Sequence, residues 1–298
     1  MEGHQLAAPA VSRDTNFYYS FLVLPSAKRR AIIAVWDFCR AVDDAVDAPP
    51  AGLDTGVLDE PALKAELARW RREVDSCFGE SEPQTAQGRS LKPHVTCFNL
   101  PREPLDDLID GVEMDVGDRR YETFDDLYEY CVRVASAVGL ICIEIFGYHN
   151  KGAREYAIAL GVALQLTNII RDVPTDFKQG RVYLPLEDLD RFGCTDEDLG
   201  GGVSPRVRDL IEFECHRARS FYRKAAGELP HEDAISLVAA EIMGAIYLAI
   251  IERIEGREYD VFSSVVRVPR PRRAMIAAAV WTRTILHSVF GRTVRAEP

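Results

Sequence analysis

Trp36-Asp37-Phe38-Cys39-Arg40-Ala41-Val42-Asp43-Asp44-Ala45-Val46-Asp47 decides how this chain is read. Ile32, Val35, Trp36, Cys39, Val42 and Val46 recur at helical spacing until Pro49-Pro50 stops the run, and Pro25 suits the first turn, where its missing N–H costs nothing. At about 100° per residue, Trp36, Arg40, Asp43 and Asp47 project into one narrow sector. A second stretch repeats the arrangement: Gln165-Leu166-Thr167-Asn168-Ile169-Ile170-Arg171-Asp172-Val173-Pro174-Thr175-Asp176. There Gln165, Asn168, Asp172 and Asp176 share a sector. Two strongly apolar helices therefore each carry a polar stripe.

Unpaired carboxylates are expensive to bury, so such stripes call for a cation, an arginine or water. Mg²⁺ suits them. It prefers oxygen ligands, keeps several waters, and is usually held by a few carboxylates plus substrate phosphates. Arg40, Arg171 and Arg181 are candidates for phosphate oxygens. Once a leaving diphosphate is neutralised, an allylic carbon–oxygen bond can ionise, and aromatic faces can shelter the cation. Phe17, Tyr18, Tyr19, Phe21 and Trp36 are the aromatic candidates. One D-x-x-x-D in an acidic chain is ordinarily a solvated face. The second copy, with Arg40 before one pair and Gln165 and Asn168 before the other, argues against coincidence. A di-iron carboxylate bundle would need Glu-x-x-His on helices, and the one such spacing, Glu228 to His231, is broken by Pro230.

Around these stretches helical periodicity dominates. Further helices are expected over about 61–78, 103–116, 124–147, 153–172, 205–228, 232–256 and 270–290. Thr123 and Asp126 resemble a capping arrangement, and Gly180–Pro185 reads as a loop leaving the second aspartate helix. With 298 residues and no linker, repeat or low-complexity tract, the expectation is one all-α domain, a bundle with its cavity between helices.

The net charge of -11 excludes a nucleic-acid binder of the usual basic kind. Seven arginines against one glutamate fall between Val261 and Pro298, a basic, partly apolar segment able to touch anionic lipid, although a solvated last helix is the plainer reading. The seven cysteines include no Cys-x-x-Cys pair, which points to a reducing compartment. No secretory signal begins the chain, and Ile242 to Ile251 is too short to span a bilayer. A cytoplasmic protein, at most peripheral to a membrane, is expected.

The chain resembles the squalene/phytoene synthase family from Asn16-Phe17-Tyr18-Tyr19 to Arg267-Val268-Pro269. Phe38–Asp44, Gln165–Asp172 and Arg181-Val182-Tyr183-Leu184-Pro185 carry the likeness most specifically. Within the family, Arg133–Gly139, Leu186–Gly193 and Ala240–Tyr247 look like bacterial presqualene diphosphate synthases of hopanoid biosynthesis; phytoene synthases share much of this pattern. The resemblance implies an isoprenoid-synthase fold, Mg²⁺, and two farnesyl diphosphates joined head to head into presqualene diphosphate with loss of diphosphate. It places Asp43, Asp47, Asn168, Asp172 and Asp176 as metal and diphosphate ligands, and Arg40, Gln165 and Arg171 as diphosphate contacts. Tyr121 and Tyr247 fall at pocket-lining positions, with Tyr121 a candidate for assisting proton removal. The alternatives are a phytoene synthase using geranylgeranyl diphosphate, a full squalene synthase, or a non-catalytic relative acting in assembly or lipid binding. Two departures stand out. Pro174 sits where relatives often have Gly, and its lost bond to the Ile170 carbonyl predicts a kink that turns Asp176 aside. Asp37 adds an acid, expected on the solvent side.

Overall fold

Gly152–Lys178 forms a 27-residue helix at the centre of the molecule, and its sequence explains why. Ala157, Gly161 and Ala163 let neighbours approach closely, while Leu160, Leu166, Ile169 and Ile170 fill the gaps between them; all are buried. The computed structural model describes residues 17–47, 60–117 and 120–290, with only the backbone at Asp47, Val289 and Phe290. In chain order these form α1 (Tyr18–Leu22), α2 (Ser26–Asp47), α3 (Glu60–Phe78), α4 (Ala86–Cys97), α5 (Glu103–Glu113) and α6 (Phe124–Cys131). A π-helical turn, Val132–Ser136, joins α6 to α7 (Ala137–Phe146), and the central helix is α8. Then come α9 (Leu186–Phe192), α10 (Asp196–Gly201), α11 (Pro205–Glu228), α12 (Val238–Glu255) and α13 (Arg270–Phe290). No strand occurs among the described residues.

α8 packs on α7, α11 and α12, and the apolar core continues on both of its sides. The π turn marks a close approach of two backbones. Gly161 of α8 faces the backbone of Ser136, whose hydroxyl donates to the Ile158 carbonyl at 2.8 Å. Gly139 of α7 likewise faces the carbonyl of Ala157. Thr123 caps α6 with a reciprocal Thr123–Asp126 box, as its spacing predicts.

Three differences from the expected helices have local causes. α4 has no counterpart in the expected set; Thr85 caps it, burial of Leu91 and Val95 holds it, and Pro93 sits inside it. α12 begins at Val238, later than expected, because Asp233 ties the preceding turn to the backbone N–H groups of His149 and Asn150, at 2.9 Å each. α8 runs on through Pro174 to Lys178, so the proline removes one hydrogen bond without ending the helix. No described helix is long and apolar enough to cross a membrane.

Candidate active site

The two polar stripes face one cavity of about 1190 Å³. Trp36, Arg40, Asp43 and Asp44 line it from α2, and Gln165, Asn168, Arg171, Asp172 and Asp176 from α8. Helical periodicity predicted Trp36, Arg40 and Asp43 on one side and Gln165, Asn168, Asp172 and Asp176 on the other, while Asp44 and Arg171 fall outside the predicted stripes; packing turned the two walls toward each other. Asp47 ends α2, but its side chain lies outside the described residues. Phe17 bridges the walls, its ring centroid 3.9 Å from that of Trp36 and 6.2 Å from that of Tyr247. Asp37 does not line the cavity; it is half-buried, and burial raises its carboxyl above the usual range.

Asp176 lines the cavity too, so the expected displacement by Pro174 does not occur. The end of α8 explains its setting. Gly180, at φ 78°, donates its N–H to the Phe177 carbonyl at 3.0 Å, and Arg181 donates its N–H to the Asp176 carbonyl at 2.9 Å. This paired closure needs a left-handed residue, which glycine supplies without strain. It folds Arg181 back beside Asp176, where the guanidinium opposes the burial that raises the carboxyl. Burial and the charge of Asp172 still prevail, and the Asp176 carboxyl is pushed up to about 7.

The rest of the second wall is short of positive charge in a specific way. Arg171 grips Asp172 with both ends of its fork, Nε lying 2.8 Å from Oδ1 and Nη2 contacting Oδ2. Asn168 turns a buried Oδ1 that accepts no hydrogen bond, while its amide nitrogen is 3.4 Å from Gln165 Oε1. An orphaned carbonyl oxygen beside two carboxylates that repel each other, Asp172 raising Asp176, is a donor set matched to a hard divalent cation. Among the described residues no three His, Cys, Asp or Glu side chains already form a metal cage. On α2, Arg40 Nε stands 3.6 Å from Asp44 in an exposed pair, worth little energetically and readily exchanged for a phosphate.

The tyrosine expected in the pocket is corrected by the structure. Tyr121 is buried and is not among the residues lining the cavity; its ring is tilted against Tyr130 at 5.5 Å and stacked on Tyr183 at 6.1 Å between centroids. Those two line the cavity, with Asp115 between them. The Tyr130 hydroxyl donates to Asp115 Oδ2 at 2.8 Å and the Tyr183 hydroxyl to Oδ1 at 3.1 Å. Burial, then the Asp115 charge, holds the Tyr130 phenol well above its ordinary range. Tyr247 lines the cavity as expected. Tyr183 falls inside a quoted motif; Asp115 and Tyr130 carry no periodic or spacing signal of their own.

Arg267, Arg270 and Arg273 also line the cavity, giving part of the basic C-terminal segment a place beside the carboxylates. Arg272 and Arg283 lie outside it, 3.3 Å from Glu252 and 3.9 Å from Glu241. Away from this charged end the lining turns apolar, through Val134, Val138, Leu160 and Leu164 to Ile143 and Phe146.

A sequence model of the squalene/phytoene synthase family matches residues 10–274. The 15-cis-phytoene synthase of Synechocystis sp. is 37% identical over 283 residues, covering 90% of this chain and 81% of that protein. The 15-cis-phytoene synthase of Synechococcus elongatus is 36% identical, covering 89% of each. Among solved structures, a dehydrosqualene synthase in complex with ligand superposes with a TM-score of 0.77 at 27% identity, covering 92% of each chain. The squalene synthase HpnC from Alicyclobacillus acidocaldarius gives 0.70 at 28% identity, over 83% of this chain and 90% of that one.

Proposed function

This chain belongs to the squalene/phytoene synthase family, and on that premise we propose that it joins two prenyl diphosphates head to head and releases diphosphate. One observation carries the reading. A single cavity is charged at one end, where the α2 and α8 stripes meet, and apolar and enclosed at the other. That is the shape of an amphiphile with an anionic head and a hydrocarbon tail.

Asp43 on one wall, and Asn168, Asp172 and Asp176 on the other, are the residues that would hold Mg²⁺, joined by Asp47 on the strength of its sequence position four residues after Asp43. When bound, it would neutralise the diphosphate and make it a better leaving group. Arg40, Arg171 and Arg181 supply fixed positive charge to the phosphate oxygens, and Gln165 adds an amide. For Arg171 this means releasing Asp172, so phosphate and carboxylate exchange partners on binding. Phe17, Trp36 and Tyr247 present ring faces and edges over the ionising carbon, shielding the allylic cation from water.

Joining the two chains and closing a cyclopropane requires loss of one proton. Tyr130 donates its own hydrogen to Asp115, which leaves a lone pair on the phenolic oxygen. The oxygen takes the substrate proton as its own moves onto Asp115, and the Tyr183 hydroxyl holds the carboxylate in place.

For the substrate we propose farnesyl diphosphate, with presqualene diphosphate as product. The stretches Arg133–Gly139, Leu186–Gly193 and Ala240–Tyr247 support this, as do the structural neighbours named for thirty-carbon products. Geranylgeranyl diphosphate and phytoene are the second reading, favoured by the 36–37% identity with phytoene synthases over most of the chain. The protein incubated with each diphosphate and Mg²⁺, first without and then with NADPH, separates the readings by diphosphate release and product mass. Well-folded protein that releases diphosphate from neither substrate would refute both.

A further inference from the structure

Among the buried residues lining the cavity is a tyrosine held by a polar contact. Tyr156, near the start of α8, lines the cavity and is 1% exposed; its hydroxyl donates to Glu241 of α12 at 2.8 Å. The other Glu241 oxygen faces outward, 3.9 Å from Arg283 of α13. The carboxylate thus keeps one oxygen toward a solvent-side cation and uses the other to fix the ring. A buried leucine would fill similar space, but its rotamer would be set by packing alone. A phenol tied to an anchored carboxylate has its reach determined.

Position along the helices places this ring at the far end. Asp172 and Tyr156 are sixteen residues apart on α8, about 24 Å at the helical rise. Along the opposing wall, Tyr130 and Phe146 span the same number of residues, and Phe146 is again buried and cavity-lining. An isoprene unit advances about 5 Å along an extended carbon chain, so one unit more or less is about a fifth of the space between the carboxylates and Tyr156.

We propose that Tyr156, pinned by Glu241, is the stop at the closed end of the tunnel and sets the longest prenyl chain admitted. The inference rests on the reading of the charged end as the diphosphate site. Tyr156 makes no contact with the reacting carbons. It is a specificity-determining residue, acting on the tail.

The test compares Tyr156→Ala and Tyr156→Leu with wild type on farnesyl, geranylgeranyl and geranylfarnesyl diphosphates, with Mg²⁺. The readout is kcat/KM for the substrate one unit longer than the best wild-type substrate, divided by kcat/KM for that best substrate. A single methylene in an apolar pocket is worth about tenfold or more in discrimination, so this ratio should rise by at least about tenfold in Tyr156→Ala. Tyr156→Leu should move it the same way by less, and decides the matter if the alanine variant does not fold. A ring that only stabilises the core would lower the rate on every chain length alike. A ratio unmoved in folded, active variants overturns the proposal. Wild type inactive on all three substrates overturns the diphosphate-site reading instead.

Discussion

Replacing Gly161 with alanine sets helix propensity against packing, and the geometry says which wins. In a helix interior alanine is favoured over glycine by about 1 kcal/mol. The added Cβ would stand 2.6 Å from Ser136 Cα, 2.7 Å from its N and 2.8 Å from its Oγ. Carbon atoms pack best at about 3.5–4.0 Å, so α8 and the π turn must part by about 1 Å. Two of the three obstructing atoms are backbone, and no side-chain rotation relieves them. Overpacking of this kind costs about 1–3 kcal/mol and occasionally more. Separation also stretches the Ser136–Ile158 hydrogen bond, with a further loss of about 1 kcal/mol. Gly161→Ala should therefore be destabilised by a net 1–3 kcal/mol, roughly. At about 2–4 °C per kcal/mol, Tm falls by roughly 3–10 °C. Thermal and urea unfolding followed by circular dichroism measure both quantities. A variant as stable as wild type, or more so, would refute the packing argument, because propensity would then have prevailed. Val138 and Leu160 line the cavity on either side of this contact, so a shift there should also alter the choice between prenyl chains.

Three further outcomes are expected. Asn168→Ala and Asp172→Ala should each lower diphosphate release by about 10²-fold or more while leaving the circular dichroism spectrum unchanged; near-normal turnover in either would remove that residue from the diphosphate site. Tyr130→Phe should lower turnover far more than Tyr121→Phe, since only Tyr130 combines a cavity position with a hydrogen bond to Asp115, and the reverse order would exclude the proposed proton path. Glu214 is buried with Asp188 against Arg217, and burial, with the Asp188 charge adding to it, pushes its carboxyl up to about 8. A raised carboxyl gives stability that is complete below the ordinary carboxylate range and lost as pH rises through about 8. Glu214→Gln should flatten that alkaline loss, with melting curves at pH 6 and pH 9 as the check; an equally steep fall would show that another group is responsible.

The sequence carried the polar stripes by itself. Arg40 and Asp43, and Gln165, Asn168, Asp172 and Asp176, lie one turn apart in succession, where a 3.6-residue period specifies a shared face with no help from the rest of the chain. The caps were equally local: Thr123 with Asp126, and the Gly180 closure that sets Arg181 beside Asp176. Local rules also misled where neighbours outweigh propensity. Pro174 reads as an interruption, yet it sits inside a helix that buried contacts hold together.

Only the tertiary structure decided which faces meet and what closes the cavity between them. Tyr121 and Tyr130 are both buried tyrosines, and no spacing rule separates them; the path of α5 and α6 places Tyr130 at the cavity beside Asp115 and leaves Tyr121 out of its lining. Arg267, Arg270 and Arg273 read as surface charge because their partners lie far away in the chain. Tyr156 and Glu241, 85 residues apart, become neighbours only when α12 lies against α8. Periodicity assigns a side chain its direction from its own helix. What it points at depends on contacts between distant segments, which the local sequence does not encode.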